Sequence, residues 1–300
     1  DFTVIVKETE KFYVERINIY GNSITREKVI RDTLIVDEGD AFNEILHNKT
    51  INSLKAKNIF AKVLSEVNDG TTPNQKIINI EVEEKATGEI SAGAGIGTTG
   101  GSVAFTVKEN NYLGKGIKLD ASLQLAADTL RGLVSVTNPN FNYSDRALTT
   151  TLENTSTDRL TANGYETSQT GLALSTNFEQ YKDFYIAPEL SAYFETLKTN
   201  STASTALKKQ KGNFFDINFN YALNLDKRNS SYQPSKGFRS LFRQELPLIT
   251  DASTIKNSYE FNAHHTFVED MVGSFSFFSS AVNSLSGDDV RISKRLFMPG

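Results

Sequence analysis

Phe215-Asp216-Ile217-Asn218-Phe219-Asn220-Tyr221-Ala222-Leu223-Asn224-Leu225-Asp226 alternates without a break. The odd positions are large and apolar; the even positions are Asp, Asn or Ala. Successive side chains of a β-strand point to opposite faces. This segment therefore has one greasy face and one mostly polar face. It is also long enough to cross a bilayer, for which a tilted strand needs about 9–11 residues.

The same period recurs on both sides of that stretch. Ile117, Leu119, Ala121, Leu123 and Leu125 alternate with Lys118, Asp120, Ser122 and Gln124. Phe184, Ile186, Leu190, Ala192 and Phe194 repeat the pattern, as do Tyr259, Phe261, Ala263, His265 and Phe267. Strands are expected near 89–97, 101–109, 116–127, 129–137, 146–155, 164–178, 184–197, 212–226, 236–246, 256–268 and 272–284. Short turns (Asn138-Pro139-Asn140, and Gln180 to Asp183) are expected to alternate with longer polar loops (Thr155 to Ala162, and Lys198 to Lys211). That asymmetry is typical of an outer-membrane barrel. A soluble sandwich is the competing reading. Its strands average about 5–6 residues, and its two sheets share an apolar interior. Here the second face is largely Asn, Ser, Thr, Asp and Gln, which favours a wet lumen.

Composition is compatible with this. The 300 residues carry a formal charge of -4 and no cysteine, so there is no disulfide framework, zinc-thiolate site or thiol nucleophile. No basic cluster points to nucleic acid. No apolar run of about 18 residues offers a transmembrane helix. A mean hydropathy of -0.35 does not argue against a barrel, whose strands are apolar only at alternate positions. With no Trp, any interfacial girdle must use Phe and Tyr.

Before about Glu89 the period is mixed. Val14 to Tyr20 reads as a strand ending at the Gly21-Asn22 turn. Thr25 is expected to cap a helix carrying Val29, Ile30, Thr33 and Leu34. Glu38-Gly39-Asp40 breaks the chain. Phe42 to Lys57 reads as a second helix with the stripe Ile45, Leu46, Ile51 and Leu54. Strands follow at Ala61 to Val67 and Lys76 to Glu83, separated by Asn68-Asp69-Gly70. The expected order is βααββ over residues 12–87, with an incomplete barrel over 88–300. Residues 1–11, opening mid-strand at Asp1 to Glu8, read as the end of a preceding unit rather than as a signal peptide.

Val14-Glu15-Arg16-Ile17-Asn18-Ile19-Tyr20-Gly21-Asn22, then Thr25, Ile30, Glu38-Gly39-Asp40, Phe42, Leu54, Asn58-Ile59-Phe60, Val63 and Ile80 to Glu84, resembles a POTRA domain. Gly93 to Gly97, Glu109 to Gly116, Thr137 to Phe141 and Tyr232 to Phe238 resemble the start of the barrel in the BamA family of outer-membrane assembly factors. The resemblance covers the whole chain. It implies a sixteen-stranded barrel preceded by several POTRA domains, the last being residues 12–85. It also implies a lumenal Arg-Gly-Phe loop motif just beyond Gly300. Arg131-Gly132-Leu133 is not that motif, because it sits in an alternating strand.

Two segments stand out as sites. In the first barrel strand, Ser91, Gly93, Gly95 and Gly97 share one face, and Ile90, Ala92, Ala94 and Ile96 the other. Glycine weakens a strand, so this strand can serve as a lateral gate that templates an incoming strand. A tight bend or close backbone approach would explain the same glycines. The second segment is Ala61-Lys62-Val63-Leu64-Ser65-Glu66-Val67, which by resemblance is the edge of the POTRA sheet. It can pair with an extended chain, or stand merely solvated and guarded by Lys62 and Glu66. His264 and His265 point to opposite faces of a strand and cannot chelate one metal together. His47 lies on a helix without a paired ligand. Asp288-Asp289 reads as a solvated loop and Glu83-Glu84-Lys85 as the polar end of a strand. Arg239, Arg243 and Glu245 share one face and are expected to form a lumenal charge network. No catalytic, cofactor or metal residues are expected.

Function follows from the resemblance: insertion of client β-barrels into the outer membrane, driven by client folding. Nothing in the sequence binds nucleotide. The implied partners are unfolded outer-membrane clients, periplasmic lipoprotein subunits of an assembly complex and outer-membrane lipid, but not nucleic acid. The implied location is the outer membrane, with the N-terminal domain in the periplasm. A two-partner secretion or TamA-like barrel is the alternative within the superfamily. A passive porin with a periplasmic domain is an alternative of another class. An outer-membrane phospholipase would need a Ser-His pairing, and none is recognisable.

Overall fold

A computed structural model describes residues 10–97, 100–144, 146–269, 271–287 and 289–296. The opening tail (residues 1–9), Asp288 and residues 297–300 lie outside the described residues. Two compact units emerge: Asp1–Glu89 with Lys108–Leu119, and Ile90–Val107 with Asp120–Gly300.

The first unit contains β1 (Tyr13–Tyr20), α1 (Glu27–Arg31), α2 (Glu44–Ala56), β2 (Phe60–Asp69) and β3 (Gln75–Glu84), the expected βααββ order. The sheet order is β1-β3-β2, with β1 parallel and β2 antiparallel to β3. The core holds Val14 and Ile17 of β1, Val29 and Ile30 of α1, Ile51 and Leu54 of α2, Phe60 and Val63 of β2, and Ile78, Ile80 and Val82 of β3. Val14 and Ile17 are three apart, which a regular strand would place on opposite faces. A register shift between Val14 and Arg16 returns both to the core.

Local details differ from the sequence reading. Helix α1 is a short turn, and its N-cap, Arg26, makes no side-chain cap bond. Thr25 is buried, and its hydroxyl instead accepts from Asn111 Nδ2 (2.8 Å). Helix α2 starts at Glu44 because the Asn43 side-chain Oδ1 accepts from Ile45 N (2.9 Å) and Leu46 N (3.1 Å). Ile45 does not join the core: it is 79% exposed, and His47 and Thr50 are buried alongside Ile51 and Leu54.

The second unit is one antiparallel ladder of eleven strands. They are β4 (Gly88–Gly97), β5 (Gly100–Tyr112), β6 (Ile117–Ala126), β7 (Thr129–Asn138), β8 (Ala147–Arg159), β9 (Tyr165–Tyr181), β10 (Phe184–Thr199), β11 (Gly212–Asp226), β12 (Gly237–Thr250), β13 (Thr254–Val268) and β14 (Met271–Ser284). They pair in sequence order, and the ladder runs open from β14 to β4. Each expected strand is present, and the elements run from 10 to 17 residues.

Pairing separates the faces. Across β10 and β11, Leu190↔Phe219, Ala192↔Ile217 and Phe194↔Phe215 alternate with Glu189↔Asn220, Ser191↔Asn218 and Tyr193↔Asp216. Leu190, Phe194, Phe215 and Phe219 are exposed, whereas Ser191, Asp216 and Asn218 are buried. A water-soluble core would reverse that order. The expected contrast of turn lengths is softened. Thr155 to Asp158 continue β8, in register with Gln169 to Glu166 of β9, instead of looping out. A long link also joins β11 to β12 at the strand ends that carry the short turns.

Candidate functional site

Strand β4 is the thinnest part of the ladder. Ile90, Ser91, Ala92, Gly93, Ala94, Gly95 and Ile96 are all exposed, with Ile90 at 82% and Ile96 at 96%. A Cβ built on Gly93 would meet nothing within 4 Å, and one on Gly95 only Ser102 Oγ at 3.6 Å. Among the described residues no backbone approaches either glycine closely, so neither contributes side-chain packing. Gly171 of β9 is the contrast, because the Tyr193 ring fills the space its Cβ would take. Gly97 extends the strand.

In the first unit, the two sheet edges are treated differently. The outer edge of β1 is covered: Ile17 N donates to Glu38 Oε1 (3.0 Å), Arg31 Nη2 donates to Ile17 O (3.2 Å), and Val14 N donates to Asp40 O (2.9 Å). Strand β2 is the other edge. Among the described residues no hydrogen bond joins its backbone to any segment but β3. Leu64 is 56% exposed there and Val67 is also exposed, with Lys62 paired to Glu83 of β3 (3.3 Å). Ala61, Val63, Ser65 and Glu66 complete the candidate segment. Val63 points into the core, and Ser65 Oγ lies 2.9 Å from His47 Nε2. Burial pushes the His47 pKa below its ordinary value, partly offset by Glu44, so this imidazole is a neutral strut between α2 and β2.

The first unit also includes the hairpin tip between β5 and β6. Asn111 donates to Thr25 through Nδ2 and accepts from Gly116 N (2.8 Å) through Oδ1. Arg26 N donates to Gly114 O (2.8 Å). Glu84 accepts from Ile24 N (2.9 Å) and Thr25 N (2.6 Å). The acidic run at 83–85 is thus more than a solvated strand end. The sequence reading names Asn111 and Glu84 only within longer runs and without these roles, because their partners lie 86 and 59–60 residues away.

The inner face of the ladder carries the expected charge network and more. Glu260 lies 3.9 Å from Arg239 Nη1 and 3.8 Å from Arg243 Nη1, and Glu245 pairs with Lys294 (2.8 Å). Arg131 pairs with Glu153 (3.2 Å). His264 contacts Ser274 Oγ (2.9 Å), while His265 packs edge-on against Phe267. Residues 290–295 fold back onto β9–β12 through Arg291, Glu195 and Asp216, none of them marked by the sequence reading.

An outward apolar face on long antiparallel strands, a polar inner face and a preceding βααββ unit define a transmembrane β-barrel protein with a periplasmic domain. Residues 111–300 match the Omp85 superfamily domain, and residues 12–85 match the POTRA family, described as a surface antigen variable number repeat. The chain is 24% identical to outer membrane protein assembly factor BamA of Nitratidesulfovibrio vulgaris over 100% of its own length and 38% of that protein's. It is 22% identical to the human sorting and assembly machinery component 50 homolog over 98% of this chain and 65% of that protein. The chain thus spans less than two thirds of the curated relatives it matches. In structure it resembles BamA of Haemophilus ducreyi lacking POTRA domains 1–3, with a TM-score of 0.84 and 19% identity, covering 96% of this chain and 59% of that one. CdiB of Escherichia coli follows at a TM-score of 0.56 and 12% identity, covering 93% and 55%. The chain belongs to the Omp85 superfamily. It is an outer-membrane protein whose N-terminal domain lies in the periplasm.

Proposed function

We propose that this chain is the working part of an outer-membrane protein assembly factor, which inserts client β-barrels through the seam bordered by β4. The observation that carries the reading is the glycine-alanine run Ala92-Gly93-Ala94-Gly95, whose glycines no neighbour among the described residues requires. Backbone hydrogen bonds cannot be left open in hydrocarbon. A seam strand can part only if another strand takes over its bonds, and a client edge does this by β-augmentation. With little side-chain packing to lose, β4 makes that exchange inexpensive. Client folding supplies the free energy; no nucleotide and no covalent chemistry take part.

The open β2 edge is the second element of the reading. Ala61 to Val67 offers backbone groups and the exposed Leu64 to an extended client, or to a periplasmic lipoprotein subunit of an assembly complex. Outer-membrane lipid contacts the apolar barrel face. A two-partner secretion role in the manner of CdiB fits less well, since the likeness to CdiB is weaker than that to BamA.

The test is an engineered disulfide joining β4 to the last barrel strand of the full-length protein, reconstituted in vesicles with unfolded client. Locking is expected to stop client insertion, and reduction to restore it. Insertion that continues unchanged while locked would remove the gate. Ion flux with no client insertion in either state would favour a passive porin.

A further inference from the structure

Arg291 lies outside the ladder, in the segment after β14, yet it is buried. Its Nη1 donates to Glu195 Oε2 (3.0 Å) and its Nη2 to Asp216 Oδ2. Both acids are themselves buried. The guanidinium sits over the Phe214 ring, 4.5 Å from its centroid. Glu195 belongs to β10 and Asp216 to β11, so one planar fork bridges two strands. Three residues on, Lys294 pairs with Glu245 of β12 (2.8 Å) and lies 3.9 Å from Asp216. Between the two bases Ile292 is buried against Tyr165 of β9 and Leu197 of β10, and its N–H donates to Gln210 Oε1 (3.0 Å).

No strand ladder holds this segment. Besides its backbone bonds to Gln210, its position rests on two cations and one apolar side chain, which between them reach four consecutive strands. A buried charge is strongly unfavourable unless it is paired. Arg291 is therefore stable at this place only while both acids are in reach. Conversely, Glu195 and Asp216 are tolerable side by side only while Arg291 is between them.

We propose that Arg291 is the key of a lumenal latch. It fastens Val290–Lys294 across the inner wall of β9–β12 as a constriction, which opens when the guanidinium withdraws from Glu195 and Asp216. This is separate from any motif beyond Gly300, and it depends on the barrel fold alone, not on the assembly reading above.

The test uses the full-length protein in lipid vesicles, with the half-buried Val290→Cys as reporter. The rate of labelling by a membrane-impermeant maleimide and the conductance in planar bilayers are measured together. Arg291→Met, and separately Glu195→Gln with Asp216→Asn, should speed labelling by about tenfold or more, since breaking a buried pair strands its partner. Both should also raise conductance. Arg291→Lys should fall between, because an ammonium lacks the fork that spans two carboxylates. Heat-modifiable migration on a gel reports folding. Folded variants with parental labelling and conductance overturn the latch. If Arg291→Met does not fold, Arg291→Lys decides on the same two readouts, and no change there overturns it as well.

Discussion

Replacing Leu190 by Arg tests which face of the ladder meets lipid. Leu190 is 47% exposed and lies in register between Leu174 of β9 and Phe219 of β11. It lies six positions after Phe184, the first residue of β10. At about 3.3 Å per residue and a tilt of about 40°, that places it roughly 15 Å along the membrane normal. The apolar band of such a barrel is about 25 Å tall, so Leu190 sits near its middle. An Arg at that depth on the lipid face costs about 2–4 kcal/mol. The control is Asn220→Arg on the opposite face. Asn220 Nδ2 already donates to Glu189 Oε1 (2.8 Å), so a guanidinium there gains a partner in a wet lumen and should change stability by under about 1 kcal/mol. The assay is the guanidinium-chloride midpoint of the full-length protein in vesicles, followed by heat-modifiable migration. A neutral Leu190→Arg together with an Asn220→Arg that loses about 2–4 kcal/mol would invert the faces and refute the barrel.

Two further outcomes follow from the first unit. Burial raises the Glu84 pKa, but the hydrogen bonds from Thr25, Ile24 and Ser23 outweigh it and hold the group below its usual 4.5. A depressed acid contributes stability that is complete above about pH 4.5 and is lost as pH falls through the folded value. Glu84→Gln should therefore lower the thermal midpoint at pH 7, by about 1 kcal/mol equivalent, and flatten its fall in acid; an unchanged pH profile refutes this. Gly114 has φ +66, and a Cβ there would overlap Ile24 O. Gly114→Val should cost about 1–3 kcal/mol and speed amide exchange at Arg26, whose N–H donates to Gly114 O; full protection at Arg26 would refute it.

Much of this fold was legible because a period of two is local information. Phe215 to Asp226 shows its faces to any reader, and the bilayer demands that such a pattern persist over ten or more residues. What escaped the sequence depended on contacts distant along the chain. Thr25 looks like a helix cap because Ser and Thr usually are, yet Asn111 takes its hydroxyl. Ile45 reads as part of the helical stripe of α2, but nine residues at about 100° each put it on the far side from Leu54, and His47 and Thr50 share the inward face with Ile51 and Leu54 instead. The bulge in β1 hides which of Val14 to Ile17 are buried, since it breaks the alternation used to find them. The candidate sites divide in the same way. Composition marks β4, and the family resemblance marks the run Ala61 to Val67. No local pattern marks Arg291, which becomes special only when its segment meets β10 and β11.

The uneven strength of the ladder bears on why β4 is suited to be a seam. Every strand in hydrocarbon gains the same backbone bonds, so strands differ mainly in cross-strand side-chain pairs, worth about 0.2–1 kcal/mol each. Strands β10 and β11 have the lipid-side pairs Phe194↔Phe215 and Leu190↔Phe219 and a lumenal side laced by Asn220 with Glu189 and Ser191. Along Ala92-Gly93-Ala94-Gly95, four such positions carry a methyl group or nothing. Their loss leaves β4 weaker by about 1–4 kcal/mol on the same scale, while its capacity to bond through the backbone is undiminished. A strand that holds its neighbour almost wholly through backbone groups can exchange that neighbour for any other edge. Such an exchange favours no client sequence over another, which is what the proposed insertion of client barrels needs. Filling those positions with bulky residues would therefore be expected to fix the seam and impair exchange while leaving the sheet more stable.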